Sequence, residues 1–538
     1  MRYKNLIAIL LLLCTIFSLS GCGKAEITPV LTGLEFVEEG SGGDAEIPEA
    51  KIAEREAYFT LWSNQFASQE DARAFLEEIK DCGYSGIEFC ILWGDFAYAN
   101  DENCDWAFID SIVDVFVQNG YSLSLSLVLW ADHIEWKDLL EFQQTSDGEI
   151  YAWDESPGML SFNSVENLNH IQNSLQAFAI HFTEKYEQHI ARWGVRTSRY
   201  GKQEYATTID LDYSPSAMEA FYKHLVAKYD TIENFNDYHN TSYTGWTALQ
   251  ADDKQKVTST ARYEWKIFKQ QTIAEFSKIT TDTFKALNPV VPVVFYGSSF
   301  TDSICAEYRG IFDAYTIAKV SGADIIQADS DITNENYSFI FDMLLSTTEK
   351  AVSTEIDGGW QGDKAVEEYA NIAESMGKTG INYISVANWI KNDIQKYYQT
   401  FSTYVSKYTL ASEREKTESK EIILVNTLDF ILRKPSANLY TLYKNAYINM
   451  NNKGSTQVIF LTDTQIIDNP ELLNDVSVVH MGLLDNTVYL YEELAQLLAN
   501  KDCEIVDNNN AQPVFRNQYD QQINEELQSK LNDKIANG

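Results

Sequence analysis

From Tyr58 onward the apolar positions of the chain follow two alternating rhythms. Short, nearly continuous apolar runs predict strands, and apolar residues three and four apart predict helices. Tyr58–Phe66 is aromatic and strand-like. Ser68 then caps a helix, with Asp71 near its start and Phe75, Leu76 and Ile79 at helical spacing, ending near Gly83. Ser85–Trp93 is a second strand, a helix runs from about Asp105 to Gln118, and Tyr121–Trp130 is a third strand that alternates serine with leucine. Three strand–helix units in succession predict a parallel sheet.

The rhythm continues with longer connections. A helix is predicted over about Val165–Tyr186, a fourth strand over about Ala191–Tyr200, and helices around Ser214–Tyr229 and Thr260–Leu287. Asn288-Pro289 closes the last of these before a fifth strand, Val290–Tyr296. Ala323–Ala328, Lys350–Ile356 and Gly380–Asn388 complete a set of eight, with a helix over Asp363–Gly377. Eight parallel strands with intervening helices fit a (β/α)8 TIM barrel with insertions, here assigned to residues 56–412. No Gly-x-Gly-x-x-Gly opens a helix and no Gly-x-x-x-x-Gly-Lys-Ser/Thr occurs, which disfavours a dinucleotide or P-loop fold.

After a charged connection at Glu413–Glu421 the rhythm resumes on a smaller scale. Strands at Ile422–Asn426, Thr456–Thr462 and Val476–Met481, with helices at Ser436–Asn451 and Glu492–Asn500, predict a second, smaller α/β domain over residues 420–513. Residues 514–538 read as a polar C-terminal tail, helical in part or loose.

The first 21 residues stand apart. Arg2 and Lys4 precede an apolar run from Leu6 to about Leu19, the layout of an export signal. It ends in Leu19-Ser20-Gly21-Cys22, which resembles the lipobox of bacterial lipoproteins. That resemblance implies cleavage before Cys22, lipid attachment there, and a mature protein tethered to the cell envelope, outside the cytoplasmic membrane or in the outer membrane. Residues 22–55 are rich in glycine and acid and read as a flexible linker.

Composition narrows the partners. The chain has 538 residues, 45% hydrophobic and 22% charged, so it is ordinary globular material. A net charge of -38 sets nucleic acid aside. Cys82, Cys90, Cys104, Cys305 and Cys503 are scattered without a Cys-x-x-Cys pair and read as buried thiols, a single bridge among the first three staying open. The seven histidines are scattered too, so no metal site and no cofactor is expected.

The chemistry concentrates in Lys350–Trp360, Lys-Ala-Val-Ser-Thr-Glu-Ile-Asp-Gly-Gly-Trp. A parallel barrel displays its reactive groups at the C-terminal strand ends, and Glu355 falls there. A solvated loop glutamate is the competing reading. The other predicted strand ends offer Trp93, Trp130, Asp132, Arg199, Gln203, Glu204, Tyr296, Trp360 and Trp389. Paired carboxylates with aromatic faces are what glycosidic bond cleavage needs, one acid to protonate the leaving oxygen and one to attack.

The order of elements resembles the retaining TIM-barrel glycosidases of clan A, most closely the family 42 β-galactosidases. The local match is Tyr200-Gly-Lys-Gln-Glu-Tyr205, then Asp212–Ala217, Phe221, Leu225, Lys228-Tyr229 and Ile232, with Trp265, Phe268, Phe276 and Asn288-Pro289 further on. The resemblance implies Glu204 as acid/base, Glu355 as nucleophile, and a sugar site lined by Gln203, Arg199, Trp93, Trp130, Asp132, Tyr296, Trp360 and Trp389. It also implies an oligosaccharide or glycoside substrate, and a second domain similar to class I glutamine amidotransferases that serves homo-oligomer contacts. One departure stands out. Clan A has Asn before the acid, and here Gln203 precedes Glu204. If Arg199 holds the strand-four position instead, the acid is missing and the protein is a non-catalytic glycan-binding lipoprotein on a degenerate barrel.

Overall fold

The computed structural model describes residues 55–537 except 101–103, 132–133, 154–155, 199, 206–208, 252–260, 299, 301–304, 330–336, 358–365, 382, 388–393, 412–420, 434–438, 453–457, 483–484 and 508–511. The predicted leader and linker, and with them Cys22, lie outside the described residues.

Eight strands close a barrel: β1 (Glu56–Trp62), β2 (Gly86–Leu92), β3 (Ser122–Val128), β4 (Ile190–Arg196), β5 (Val293–Tyr296), β6 (Ile325–Asp329), β7 (Ala351–Asp357) and β8 (Tyr383–Ala387). Each pairs in parallel with its sequence neighbours, and β8 returns to β1. The predicted TIM barrel is therefore observed, and each predicted strand overlaps an observed one. β4 is the main difference at a boundary. It ends at Arg196 rather than near Tyr200, because the next residues turn out of the sheet.

The period-two alternation sorts the side chains. On β3, Leu123, Leu125 and Leu127 face outward and are buried under the helices, whereas Ser124 and Ser126 are buried inside the barrel. On β2 the outward set is Ile87, Phe89 and Ile91. The barrel interior is consequently polar. Arg192 lies between the rings of Tyr58 and Tyr383 at 4.4 and 3.9 Å and pairs with Glu56. Gln327 Nε2 donates to Ser385 Oγ at 2.7 Å. Gly194 leaves room for the Tyr296 ring, since a Cβ there would lie 2.2 Å from it.

The helices cap as the sequence suggests. Ser68, Ser164 and Ser214 each accept a backbone N–H as N-cap of Gln69–Ile79, Val165–Tyr186 and Pro215–Tyr229. The long helix Arg262–Leu287 packs beside β4 and β5 and is buried along most of its length.

A second parallel sheet follows the barrel: β9 (Glu421–Val425), β10 (Ile459–Thr462), β11 (Val478–Met481) and β12 (Glu504–Asp507), in the spatial order β10-β9-β11-β12. Residues 514–537 fold onto it. Val514–Arg516 pairs with Thr487–Tyr489, and Leu531 of the helix Glu525–Asn537 is fully buried. The barrel and this sheet share a core in which Phe339 lies against Tyr447 and Phe460, ring centroids 5.8 and 5.5 Å apart. Tyr447 also donates to Asp342 at 2.7 Å. The five cysteines among the described residues are all free thiols.

Candidate active site

Glu355 projects from β7 near its C-terminal end and is 5% exposed. Oε1 forms an ion pair with Lys202 Nζ at 2.9 Å, and Oε2 accepts from Arg196 Nη1 at 3.4 Å. Arg196 is the last residue of β4 and is fixed on every side. It pairs with Glu88 of β2, stacks 3.7 Å from the centroid of Tyr296, and donates to Ser126 Oγ at 3.0 Å and Gly201 O at 2.8 Å. Glu88 also accepts from Thr60 Oγ1 at 3.2 Å. Two acidic and two basic side chains thus stand together inside the barrel, each with an oppositely charged neighbour.

The electrostatics follow from this arrangement. Burial works against the charge on Glu355, yet the cations of Lys202 and Arg196 hold its carboxyl below the usual range. Burial wins at Glu88 and pushes it up, although Arg196 pulls the other way. Burial also pushes the Cys90 thiol beside them up to about 12, so it is neutral.

Lys202 reaches Glu355 because β4 is interrupted. Thr197 N and Ser198 N both donate to Lys202 O, at 3.0 and 2.9 Å, and Gly201 N donates to Ser198 O at 2.9 Å. The chain leaves the sheet at Ser198, turns through Gly201 at φ 70°, and rejoins β5 where Gln203 N donates to Tyr296 O at 2.7 Å. A Cβ on Gly201 would lie 3.0 Å from Arg196 Nη1 and 3.1 Å from the Trp62 ring, in addition to the positive φ, so glycine is required there.

Glu204 follows on this returning segment and is fully buried. Oε1 accepts from Ser198 Oγ at 2.9 Å, and Oε2 faces Arg309 Nη1 at 3.3 Å. Arg309 ends the π-helical turn Cys305–Arg309, and its guanidinium lies 5.5 Å from the ring of Tyr200, which is 40% exposed. The turn is anchored beneath by Glu307, which pairs with Arg262 and with Lys266 at 3.1 Å. Burial depresses Lys266 to about 7 in spite of Asp210 and Glu307 nearby.

The remaining predicted site residues divide. Gln203 is buried beside Glu204, with its Oε1 accepting from Ser277 Oγ at 3.5 Å. Trp130 is half-buried at the mouth, stacked on Trp62 at 5.1 Å and 26°, and donates to Ser198 O at 3.2 Å. Tyr296 points into the barrel under Arg196, with its hydroxyl 3.5 Å from Glu88. Trp93 is a correction. It was expected at the mouth, but it is fully buried behind the sheet, donating to Ser174 Oγ at 2.7 Å and meeting Trp136 edge to face. It continues the outward positions Ile87, Phe89 and Ile91 of β2, and so falls on the helix-facing side. Arg199, Asp132, Trp360 and Trp389 lie outside the described residues.

Sequence reasoning missed four residues of the site: Glu88, Arg196, Lys202 and Arg309. A signal existed for two. Glu88 interrupts an apolar strand, and Arg192, Gly194 and Arg196 share one face of β4 by period two. Lys202 and Arg309 carried none, because each depends on where a loop returns. Among the described residues no group of three or more His, Cys, Asp or Glu is placed to hold a metal.

Comparison with known proteins bears on this geometry. Residues 99–336 match the glycoside hydrolase family 42 model, described as beta-galactosidase. The match takes in Gln203 and Glu204 and ends before Glu355. No curated protein matches the sequence. Among solved structures, the beta-galactosidase from the psychrophilic Marinomonas ef1 is 13% identical, with a TM-score of 0.61 over 84% of this chain and 75% of that one. The cold-adapted beta-galactosidase from Rahnella sp. R3 is also 13% identical, with a TM-score of 0.66 over 90% and 75%. The exo-carrageenase GH42 from Bacteroides ovatus is 11% identical, with a TM-score of 0.60 over 91% and 70%. The chain thus has the barrel of these structures, and over residues 99–336 it is similar to the family 42 glycoside hydrolases.

Proposed function

We propose that this protein is a retaining glycoside hydrolase that cleaves β-linked, galactoside-like sugars with Glu355 as nucleophile and Glu204 as acid/base. The observation that carries the reading is the place of Glu355 between two cations, Lys202 at 2.9 Å and Arg196 at 3.4 Å. A carboxylate held charged by two cations at the C-terminal end of a barrel strand is equipped to attack an anomeric carbon. Glu355 Oε2 forms a bond to that carbon as the glycosidic bond breaks, and Glu204 gives its proton to the departing oxygen. Glu204 then takes a proton from water, the water oxygen bonds to the same carbon, and the Glu355 ester is released as carboxylate. In this reading the glycosidic oxygen displaces Arg309 at Glu204 Oε2, which brings the acid to the substrate. The Trp62–Trp130 pair supplies an aromatic wall for the sugar.

One observation favours a second reading. Glu204 is fully buried and paired with Arg309, a state that suits a carboxylate locked in structure. The protein is then a glycan-binding protein that does not cleave. Hydrolysis of a panel of aryl β-glycosides by the mature protein, beside Glu204→Gln and Glu355→Gln, separates the two. Turnover that collapses in both variants supports the hydrolase, and sugar binding without turnover supports the binder.

We further propose lipid attachment at Cys22, on the strength of the Leu19–Cys22 sequence. Export of Cys22→Ala as a soluble protein, with the parent retained in membranes, is the expected outcome. Among the described residues no helix is long and apolar enough to cross a membrane. A homo-oligomer formed through the second sheet is likewise a proposal, tested by light scattering.

A further inference from the structure

We infer that Arg262 is a positioning residue for the acid/base Glu204, tying the second sheet to the turn Cys305–Arg309 that meets this acid. The inference rests on the proposed reading in which Glu204 is the acid/base.

The turn touches the acid segment twice. Arg309 Nη1 lies 3.3 Å from Glu204 Oε2, and Arg309 O accepts from the N–H of Tyr205, the next residue along, at 3.1 Å. A shift of the turn therefore shifts both a partner of the carboxylate and the backbone beside it. What sets the turn is the helix Arg262–Leu287. Arg262, Lys266, Lys269 and Gln270 lie four, three and one residues apart, so they share one face of it. Lys266 Nζ donates to Ala306 O at 3.4 Å and to Glu307 O, and Lys269 Nζ donates to Tyr308 O at 3.1 Å. Three successive carbonyls of the turn thus end on two ammonium groups. Where the chain leaves the turn, Gln270 Oε1 accepts from Phe312 N and Asp313 N at 3.2 and 2.8 Å.

Arg262 adds what the lysines do not. Its Nη2 pairs with Glu307 of the turn, and its Nε donates to Ile431 O at 3.1 Å. Ile431 lies in the helix Thr427–Leu432, which follows β9 of the second sheet. Its carbonyl falls in the last turn of that helix, where no partner exists within the helix itself. One planar cation therefore joins the second sheet to the turn, with two edges of its fork in use. Burial works against the charge on Glu307, yet Lys266 and Arg262 hold its carboxyl below the usual range, so the clamp joins ionised groups. Without Arg262, Glu307 keeps Lys266 at 3.1 Å, so the carboxylate stays paired and the chain still folds. The turn loses its tie to the second sheet, and with it the fixed place of Arg309 against Glu204.

The test compares the parent with Arg262→Met and Arg262→Lys on two aryl β-glycosides, one with an activated and one with a poor leaving group. Arg262→Met should lower kcat/KM on the poor leaving group by about 10–10²-fold and on the activated one by much less, because only the former needs the acid in place. Arg262→Lys keeps a charge at Glu307 but not the fork, and should show a smaller loss of the same pattern. Equal losses on both substrates overturn the inference, since a general loss of structure does not distinguish leaving groups. Unchanged rates overturn it too. A second measurement is independent of turnover. In Arg262→Met, amide hydrogen exchange should quicken at Tyr205 and across Cys305–Asp313, while β2 and β3 keep the parent's rates. Unchanged exchange at Tyr205 overturns the inference even where the enzyme is active. A parent that cleaves no glycoside marks failure of the hydrolase reading, and the positioning role falls with it even where exchange quickens.

Discussion

The guanidinium of Arg309 meets the carboxylate of Glu204, Nη1 to Oε2 at 3.3 Å, and Ser198 holds the other oxygen at 2.9 Å. Both contacts come from loops, one from the β4 excursion and one from the Cys305–Arg309 turn. The acid/base assigned to Glu204 is thus positioned by two segments that the barrel itself does not fix. Glu204→Ala should lower turnover of glycosides with poor leaving groups by about 10²–10⁴-fold and spare activated aryl glycosides much more. Added azide should restore the second step and yield a β-glycosyl azide, which product analysis detects. Equal losses on both substrate classes, without rescue, would remove Glu204 from the chemistry.

Arg196 and Glu88 form an ion pair sealed inside the barrel, 1% and 0% exposed. Removing Glu88 takes the tight partner from a buried guanidinium, which keeps only the longer contact with Glu355 at 3.4 Å. Glu88→Ala should therefore cost about 3–5 kcal/mol in denaturant unfolding. Glu88→Gln, which keeps the shape and one hydrogen bond, should cost less.

The two tryptophans named together from the sequence should separate by experiment. Trp130 is half-buried at the mouth, so Trp130→Ala should raise KM with little loss of stability. Trp93 is fully buried with its N–H bonded to Ser174, so Trp93→Ala should cost about 3–5 kcal/mol in unfolding. Thermal melts and KM values measured on both variants check the contrast.

That contrast marks how far the sequence carries. The barrel was legible because its strands repeat with period two and its helices with period 3.6. Ser-Leu-Ser-Leu-Ser-Leu-Val reads as a strand at sight, and the structure adds that its leucines face the helices and its serines the interior. Glu355 was legible as a carboxylate ending an apolar run. Lys202 was not, because six residues of strand end and loop fold back before Lys202 meets β7. Trp93 was legible in the alternation itself: it continues the outward positions Ile87, Phe89 and Ile91 of β2 and so belongs to the helix-facing layer, not the mouth.

The contact between barrel and second sheet carries a pH signature. Asp463 is fully buried, and burial together with nearby Asp313 pushes it up to about 8. Unfolded, it releases its proton near the ordinary aspartate value of about 3.9. Between those limits the folded state binds more protons than the unfolded, so stability falls as pH rises from about 4 to about 8. One such proton sets a slope of up to about 1.4 kcal/mol per pH unit. Asp463→Asn loses one of the bonds from Thr427 N and Thr464 N, and so starts less stable at acid pH. Its stability should nonetheless fall less steeply than the parent's over that window, as unfolding curves at successive pH values would record.

The most direct test of the hydrolase account is covalent trapping. Incubation with an activated 2-deoxy-2-fluoro-β-galactoside, followed by digestion and mass spectrometry, reads which residue carries the sugar. The account predicts a fluorosugar ester on Glu355, formed with time-dependent loss of activity and absent in Glu355→Gln. A sugar bound without any ester, or an ester on another carboxylate, would contradict it.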